Sequence, residues 1–274
     1  MINFLHTFSP QSILISLGPV TIYWYGLFIV LGVLVAIGVA LKLSHYYNFK
    51  QNIIIDLAFW LIIGGILGAR IYHIFLEWRF YLEYPLNMLK IWEGGLAIHG
   101  AIIAGSIIIY LFYKKEKINF WLMTAIVVPG LALGQAIGRF GNYFNQELFG
   151  KSTDLSWGIP INILNRPLEY LSSEFFHPTF LYESIGSFLI FLILIFFHVW
   201  VIRNKKFNDF TYFLLTSVYL IFYSILRFSL EFIRIDNTPE LFGLRWPQIA
   251  SLAIILLTII LIIYKIRKYK NKIF

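Results

Sequence analysis

The chain contains no cysteine among its 274 residues. It therefore has no disulfide, no zinc–thiolate site and no cysteine nucleophile of its own. Charged side chains are also scarce, at 13% of residues against about 25% in soluble globular domains. With 59% hydrophobic and 19% aromatic residues, this composition excludes a large soluble core and indicates one integral membrane domain over residues 1–274.

Several catalytic motifs are absent as well. The sequence has no HExxH zinc motif, no P-loop and no GxSxG nucleophile elbow. It also lacks paired carboxylates at the spacing that would hold magnesium beside a phosphoryl group. We therefore expect a site without a metal or any other cofactor.

Long uncharged runs recur along the chain, and a bilayer core needs about 20 mainly apolar residues per helix. The runs cover residues 22–41, 57–69, 94–113, 118–138, 184–202, 210–226 and 246–264. The second is the weakest, because Asp56 and Arg70 bracket it. The pattern predicts an all-α polytopic membrane protein with seven transmembrane helices. The first 18 residues lack the basic stretch of a cleaved signal peptide, and we expect them to lie at the membrane interface.

The distribution of charge predicts the orientation. If alternate loops lie on opposite faces, one face has 13 basic and 3 acidic residues, a net charge of +10. The other has 9 basic and 11 acidic residues, a net charge of −2. The positive-inside rule puts the first face in the cytoplasm, with the N-terminus outside and the C-terminus cytoplasmic. The overall charge of +8 is then a topology signal, and no nucleic-acid partner is expected.

The loops assigned to the outer face are the long ones, at residues 70–93, 139–183 and 227–245. Within the second, residues 151–178 are expected to form a small extracytoplasmic cap, which either recognises a peptide or shields the site. Seven of the nine basic residues on this face are arginines. A guanidinium fork suits phosphate, although single arginines can also snorkel to headgroups or pair with acids. Function is expected on this face.

The stretch GRFGNYFNQELFG, residues 138–150, places many polar groups where the fourth span ends. Read as a continuing helix, it puts Arg139, Asn142 and Glu147 near one face, with Asn145 close by. Ionisable groups in a membrane are costly and usually functional, whereas the alternative is a helix end that simply meets water. Upstream glycines recur every four residues, at positions 130, 134 and 138, a spacing typical of close helix packing.

Two further stretches carry candidate chemistry. In RFSLEFIR, helical spacing stacks Arg227, Glu231 and Arg234, either as an ion-pair ladder or as a surplus positive charge for a lipid phosphate. In EGGLAIHG, His99 is either a proton acceptor or a packed, hydrogen-bonded core histidine. Weaker candidates, each of which could equally be an interfacial anchor or a helix cap, are Tyr25, Arg70, His177 and Glu183.

Taken together and in this order, the motifs resemble those of the bacterial prolipoprotein diacylglyceryl transferase family. Residues 138–150 match the family signature, with one departure, Tyr143, where phenylalanine is usual. Similar stretches are WYG at 24–26, EGGLAIHG at 93–100, HPTFLYE at 177–183 and RFSLEFIR at 227–234. The resemblance therefore spans most of the chain.

The resemblance implies seven spans in the bacterial cell membrane, with the active site towards the outer leaflet. It also implies transfer of the diacylglyceryl group of phosphatidylglycerol to the lipobox cysteine thiol of a prolipoprotein, the first step of lipoprotein maturation. The products are a thioether and glycerol 1-phosphate. The expected partners are phosphatidylglycerol, the signal peptide that carries the lipobox, and membrane lipids.

By resemblance, Arg139 binds the lipid headgroup, Arg227 and His99 are functionally important, and Tyr25, Asn142, Glu147 and Gly150 are carried over. The chemistry adds a base for the thiol, for which His99 is the first candidate and Glu147 the second. The expected catalytic set is His99, Arg139, Arg227, Glu147 and Tyr25. The expected phosphatidylglycerol-binding set is Arg139, Asn142, Asn145, Gly150, Arg227, Glu231 and Arg234.

Two other functional classes were weighed. A transporter or channel for anionic substrates would explain arginines near the membrane, but repeats or interrupted midplane helices would then be expected. A structural partner of a secretion complex would catalyse nothing. The sequence favours the transferase over both.

Overall fold

The computed structural model describes residues 2–18 and 20–270. The described chain opens with a short helix, α1 (Ile2–Thr7), and two antiparallel strands, β1 (Ile13–Leu17) and β2 (Val20–Tyr23). The Trp24 amide donates to the Ser12 carbonyl at 3.0 Å. This bond ties the strand pair directly to the start of the first long helix.

Within the described residues, seven helices are long and apolar enough to cross a membrane, as predicted. They are α2 (Trp24–Tyr46), α3 (Gln51–Leu76), α5 (Ile98–Glu116), α6 (Phe120–Phe144), α7 (Thr179–Arg203), α8 (Asp209–Leu230) and α9 (Trp246–Lys270). A short helix, α4 (Trp78–Glu83), follows α3. Most of these helices extend past the predicted runs, because charged residues that end an apolar run still occupy helical turns.

The second predicted span shows this best. It becomes the 26-residue helix α3 and includes both Asp56 and Arg70. Arg70 is buried there, with 6% of the residue exposed. Its guanidinium donates hydrogen bonds to the carbonyls of Asn87, Met88, Lys90, Gly94 and Gly95. These acceptors satisfy the charge where it would otherwise be costly.

The third predicted span began too early, at Gly94. Gly94 and Gly95 have φ of 93° and 69°, a backbone region that no α-helix uses. They form the turn whose carbonyls accept from Arg70. Helix α5 therefore starts only at Ile98.

The described residues group into two compact units, 41–123 in one and the remainder in the other. In the smaller unit, α3 packs on α5 at a point where a Cβ on Gly100 would lie 2.1 Å from the Gly68 carbonyl oxygen. In the larger unit, α7 packs on α8 and α8 on α9. Its apolar core includes Val128, Ala132, Ile190, Leu194 and Tyr219.

The glycine row of α6 packs against α2, as its spacing predicted, at two of its three positions. A Cβ on Gly130 would lie 2.4 Å from the Ala36 carbonyl oxygen, and one on Gly134 would lie 2.9 Å from that of Gly32. Gly138 has nothing within 4 Å of the corresponding position, so its predicted packing role is wrong. The close approach of α2 and α6 continues into the polar stretch, where a Cβ on Gly141 would lie 2.8 Å from the Tyr25 ring and 3.2 Å from the Tyr25 Cα.

Residues 151–178 join α6 to α7 with little regular structure. Strand β3 (Ile159–Pro160) pairs with β4 (Phe175–Phe176), and two 3₁₀ turns, Ile163–Asn165 and Leu168–Tyr170, lie between them. Phe176 is fully buried in a cluster with Tyr143, Phe149, Ile159, Ile161 and Phe180. A last antiparallel pair, β5 (Glu240–Leu241) and β6 (Leu244–Arg245), precedes α9.

The α2–α6 contact makes a prediction about stability. Gly130→Ala forces a methyl group against backbone, so we expect it to destabilise the protein by about 1–3 kcal/mol, as overpacking typically does. Gly138→Ala, about two helical turns further along the same row, should be neutral, because nothing lies within 4 Å of the added Cβ. Thermal unfolding of the purified protein in detergent measures both. Equal unfolding temperatures for the two variants would contradict the prediction.

Candidate active site

A buried carboxylate, Glu183, forms the centre of the candidate site. It lies near the start of α7, and 3% of its side chain is exposed. Arginines from three segments surround it: Arg139 at 2.5 Å, Arg227 at 3.7 Å and Arg234 at 4.0 Å. The Tyr223 hydroxyl donates to it at 3.4 Å. An ionised group at this depth is tolerated only when it is paired in this way.

On one side of Glu183, Arg139 begins a chain of polar contacts. Its Nη1 donates to the Asn142 side-chain oxygen at 3.2 Å, and the Asn142 amide nitrogen donates to Glu147 Oε1 at 2.7 Å. Asn145 reaches the same carboxylate oxygen at 3.5 Å. The predicted grouping of Arg139, Asn142, Asn145 and Glu147 is therefore present.

The predicted route to this grouping is wrong, because the helix does not continue to Glu147. Helix α6 ends at Phe144, and Gln146 and Leu148 take left-handed backbone angles, with φ of 51° and 57°. The turn brings the Glu147 amide back to the Asn142 carbonyl at 3.1 Å. Gln146 holds the turn by donating to the Pro10 carbonyl at 2.7 Å.

On the other side of Glu183 lies the predicted ladder of Arg227, Glu231 and Arg234. Arg227, in the last turn of α8, forms an ion pair with Glu231, which is 2% exposed. Arg234 stands 3.9 Å from Glu231. Its closer partner is Asp236, which accepts from Arg234 Nε at 2.7 Å. The ladder exists, but only Arg227 lies within α8, which ends at Leu230, whereas Glu231 is the C-cap and Arg234 lies beyond it.

A fourth arginine, Arg245, completes the network. Its Nη1 lies 2.6 Å from Glu231 Oε2, and its Nη2 lies 3.6 Å from Asp236 Oδ2. Within the described part of the chain, the network therefore joins four arginines to three carboxylates, Glu183, Glu231 and Asp236. These seven groups carry one positive charge in excess. Glu147 is not included in this count, because it is linked to Arg139 only through Asn142.

The four arginines differ in exposure. The side chains of Arg139 and Arg227 are 23% and 17% exposed, against 6% for Arg234 and 11% for Arg245. Arg227 Nη1 is buried and has no hydrogen bond among the described residues. The same nitrogen lies 3.7 Å from Glu183 Oε2, too far for a hydrogen bond, and a buried donor without one calls for an explanation. Arg139 and Arg227 are thus the two arginines with capacity for a further anion.

Tyr25 and Gly150 lie at the edges of the network. Tyr25 packs on Gly141, where a Cβ would stand 2.8 Å from its ring, and it interacts electrostatically with Glu147 and Arg139. Gly150 forms an isolated antiparallel bridge with Arg234. A Cβ on Gly150 would lie 2.7 Å from Ile233 and 2.8 Å from His177. Glycine is needed here for close backbone approach, not for its freedom in φ.

His99 lies in the smaller unit, as the second residue of α5. It is exposed, and its ring centroid stands 5.8 Å from that of Tyr72. The alternative of a packed core histidine is therefore wrong. In the larger unit, His177 exchanges backbone hydrogen bonds with Gly150 and Lys151, and its Nδ1 lies 3.1 Å from the Tyr182 hydroxyl. Burial lowers the pKa of His177 below its ordinary value of 6.5.

Sequence reasoning overlooked parts of this site. Glu183 was a weak candidate for a helix cap or an anchor, yet it contacts three arginines. Arg245, Asp236 and Tyr223 were not singled out. A partial signal existed, because Glu183 is an acid set in an apolar stretch, but nothing local joins it to Arg139, 44 positions earlier.

The seven long apolar helices define a multi-pass membrane protein. A buried arginine–carboxylate network lies where α6 and α8 end and where α7 and α9 begin. A sequence model of prolipoprotein diacylglyceryl transferases matches residues 12–264. The chain belongs to that family.

Individual relatives agree with the family match. A protein of Synechococcus elongatus is 45% identical over 249 residues, which cover 90% of this chain and 84% of the relative. One from Finegoldia magna is 42% identical over 259 residues, covering 94% and 95%, and one from Nostoc sp. is 42% identical over 245 residues, covering 89% and 85%. Each is named phosphatidylglycerol–prolipoprotein diacylglyceryl transferase.

The electrostatic surroundings of Asp236 predict how the stability of the protein depends on pH. Burial raises the pKa of its carboxyl, but the hydrogen bond from Arg234 and the charges of Arg234 and Arg245 outweigh burial and hold the pKa below its ordinary 3.8. A carboxyl with a lowered folded-state pKa stabilises the fold above its unfolded pKa, and this contribution is lost as pH falls through the folded value.

We therefore expect Asp236→Asn to unfold at a lower temperature than the wild type at pH 7, with the gap closing below about pH 4. Thermal unfolding in detergent at a series of pH values measures the gap. Asp154→Asn, at an exposed aspartate of the same face, serves as the control and should change little. A gap that stays constant down to pH 3 would refute the prediction.

Proposed function

We propose that this protein transfers the diacylglyceryl group of phosphatidylglycerol to the thiol of the lipobox cysteine of a prolipoprotein. The names of its relatives support both substrates. The single observation that carries the assignment of residues is the pair of partly exposed arginines, Arg139 and Arg227, on either side of buried Glu183. A phosphate between them would receive bidentate hydrogen bonds.

The reaction balances as a nucleophilic displacement. The cysteine sulfur forms a bond to the terminal glycerol carbon of the diacylglyceryl group, and the bond from that carbon to the phosphate oxygen breaks. The thiol proton passes to a base, for which we propose His99, and the electron pair leaves with glycerol 1-phosphate. The phosphate goes from one negative charge towards two. Donors already aimed at it therefore stabilise the transition state more than the ground state.

The other residues of the network have supporting roles in this proposal. Asn142 and Asn145 orient the headgroup, and Asn142 also separates Arg139 from Glu147. Glu183 and Glu231 hold the guanidinium groups in place before the lipid arrives, which lowers the cost of ordering them. Arg234, whose donors face Asp236 and Glu231, acts mainly through this framework.

We further propose that the network lies at the outer leaflet of the bacterial cell membrane, with residues 151–178 as an extracytoplasmic cap. The charge asymmetry of the loops supports this orientation. The loop lengths agree with it, because connections 47–50, 117–119 and 204–208 are short and the network lies among the long ones. A tag accessible from the cytoplasm on the 151–178 segment would refute the orientation.

The proposed reaction is tested with purified protein in detergent, phosphatidylglycerol and a synthetic lipobox peptide. We expect lipid-modified peptide and glycerol phosphate in equal amounts. A peptide with serine in place of the cysteine is the matched control and should stay unmodified. If neither product forms with the cysteine peptide, the proposed function is wrong.

Arg139→Lys keeps the positive charge but loses the planar fork. We expect its turnover to fall about a hundred- to a thousandfold, as for the loss of one transition-state donor. Arg203→Lys, at the exposed far end of α7, is the matched control and should retain full activity. An Arg139→Lys enzyme with turnover close to that of the wild type would remove Arg139 from the phosphate role.

His99→Gln tests the proposed base. We expect a rate loss that is partly restored at high pH, because a free thiol with a pKa of about 8.5 then ionises unaided. His45→Gln, near the far end of α2, is the control and should keep the wild-type profile. If the pH profile of His99→Gln has the wild-type shape, His99 is not the base.

A further inference from the structure

Arg245 lies outside the residues expected to contact the lipid. It is the last residue of β6, directly before α9, and 11% of its side chain is exposed. Its guanidinium faces the segment that leaves α8. Besides its two ion pairs, it donates to the carbonyls of Glu231 at 3.3 Å and Arg234 at 3.2 Å, to that of Asp236, and to the Thr238 hydroxyl at 3.0 Å.

Arg245 and Arg227 pair with different oxygens of the Glu231 carboxylate. One carboxylate oxygen of Glu231 contacts Arg227, and the other lies 2.6 Å from Arg245 Nη1. The second pair is not aligned as a hydrogen bond, so its contribution is mainly ionic. Each oxygen of this buried carboxylate thus has its own cation.

Without Arg245, the second oxygen of Glu231 would be a buried charge with no close cation. Removing one partner of a buried pair leaves an uncompensated charge that attracts any nearby cation. Arg227 already contacts Glu231 through Nη2. Its Nη1 lies 3.7 Å from Glu183 Oε2 and is the buried guanidinium nitrogen without a hydrogen bond among the described residues. Arg227 would turn both nitrogens towards Glu231.

We propose that Arg245 is a positioning residue, which holds one oxygen of Glu231 and thereby leaves Arg227 Nη1 available for the lipid phosphate. This inference rests on the proposed function of the same site. It differs from a purely structural role, in which Arg245 only fastens residues 231–238. The two roles make different predictions for substrate affinity and for rescue.

The first test compares Arg245→Gln with Arg245→Lys. Arg245→Gln removes the charge, and we expect KM for phosphatidylglycerol to rise about tenfold with a smaller change in kcat. Arg245→Lys keeps a charge beside Glu231 and loses several carbonyl contacts, so its KM should stay within about twofold of the wild type while its unfolding temperature falls. Arg267→Gln, towards the far end of α9, is the matched control and should change neither.

The second test is rescue. In Glu231→Gln/Arg245→Gln the excess negative charge is gone, so KM should return to within about twofold of that of Glu231→Gln alone. Such coupling is read from the complete double-mutant cycle. A fastening role predicts the reverse, since removing the charge of Glu231 would not restore the lost carbonyl contacts.

The dissociation constant of phosphatidylglycerol is measured in parallel by native mass spectrometry of the detergent-solubilised variants. If the wild type makes no lipidated peptide but Arg245→Gln still weakens lipid binding about tenfold, the proposed reaction fails and the role of Arg245 stands. If the wild type is active and Arg245→Gln binds lipid normally, the inference is overturned. A tenfold rise in KM for Arg245→Lys, or no rescue in the double variant, would also overturn it.

Discussion

The structure of the site depends on one constraint, the burial of the Glu183 carboxylate where almost no water reaches it. Its 3% exposed side chain needs cations close by, and α6, α8 and the segment after α8 each supply one. Losing one partner of a buried pair typically costs about 3–5 kcal/mol. The helix ends are therefore held in place by charge as well as by packing.

Close backbone packing between α2 and α6 supports this arrangement of charges. The contacts of Gly130 and Gly134 with α2 are followed by that of Gly141 with Tyr25, so close packing of the two helices flanks Arg139 on both sides along α6. The turn after Phe144 then brings Gly150 against the backbone of Arg234, which links the ends of α6 and α8 through the main chain. A rigid frame of this kind keeps flexible arginine side chains near one geometry, which a site must do to act on a transition state.

The sequence predicted the number of spans and the residues near Arg139 well, because hydropathy and motif spacing are local signals. It mispredicted the path from Asn142 to Glu147, since a left-handed turn at Gln146 and Leu148 cannot be read from helical periodicity. It ranked Glu183 only as a weak candidate and overlooked Arg245, because the partners of both are distant in sequence. It made the second span too short, because in the sequence Arg70 marks the end of an apolar run. In the structure Arg70 is buried within α3, where five carbonyls accept hydrogen bonds from it.

The position of Arg245 immediately before α9 has a consequence for biogenesis. Glu183 precedes Arg245 by 62 residues and Glu231 precedes it by 14, so Glu231 lacks one counter-ion until synthesis reaches the start of the seventh long helix. The set of charges in the network is therefore complete only when the chain has been made up to the residue that precedes α9.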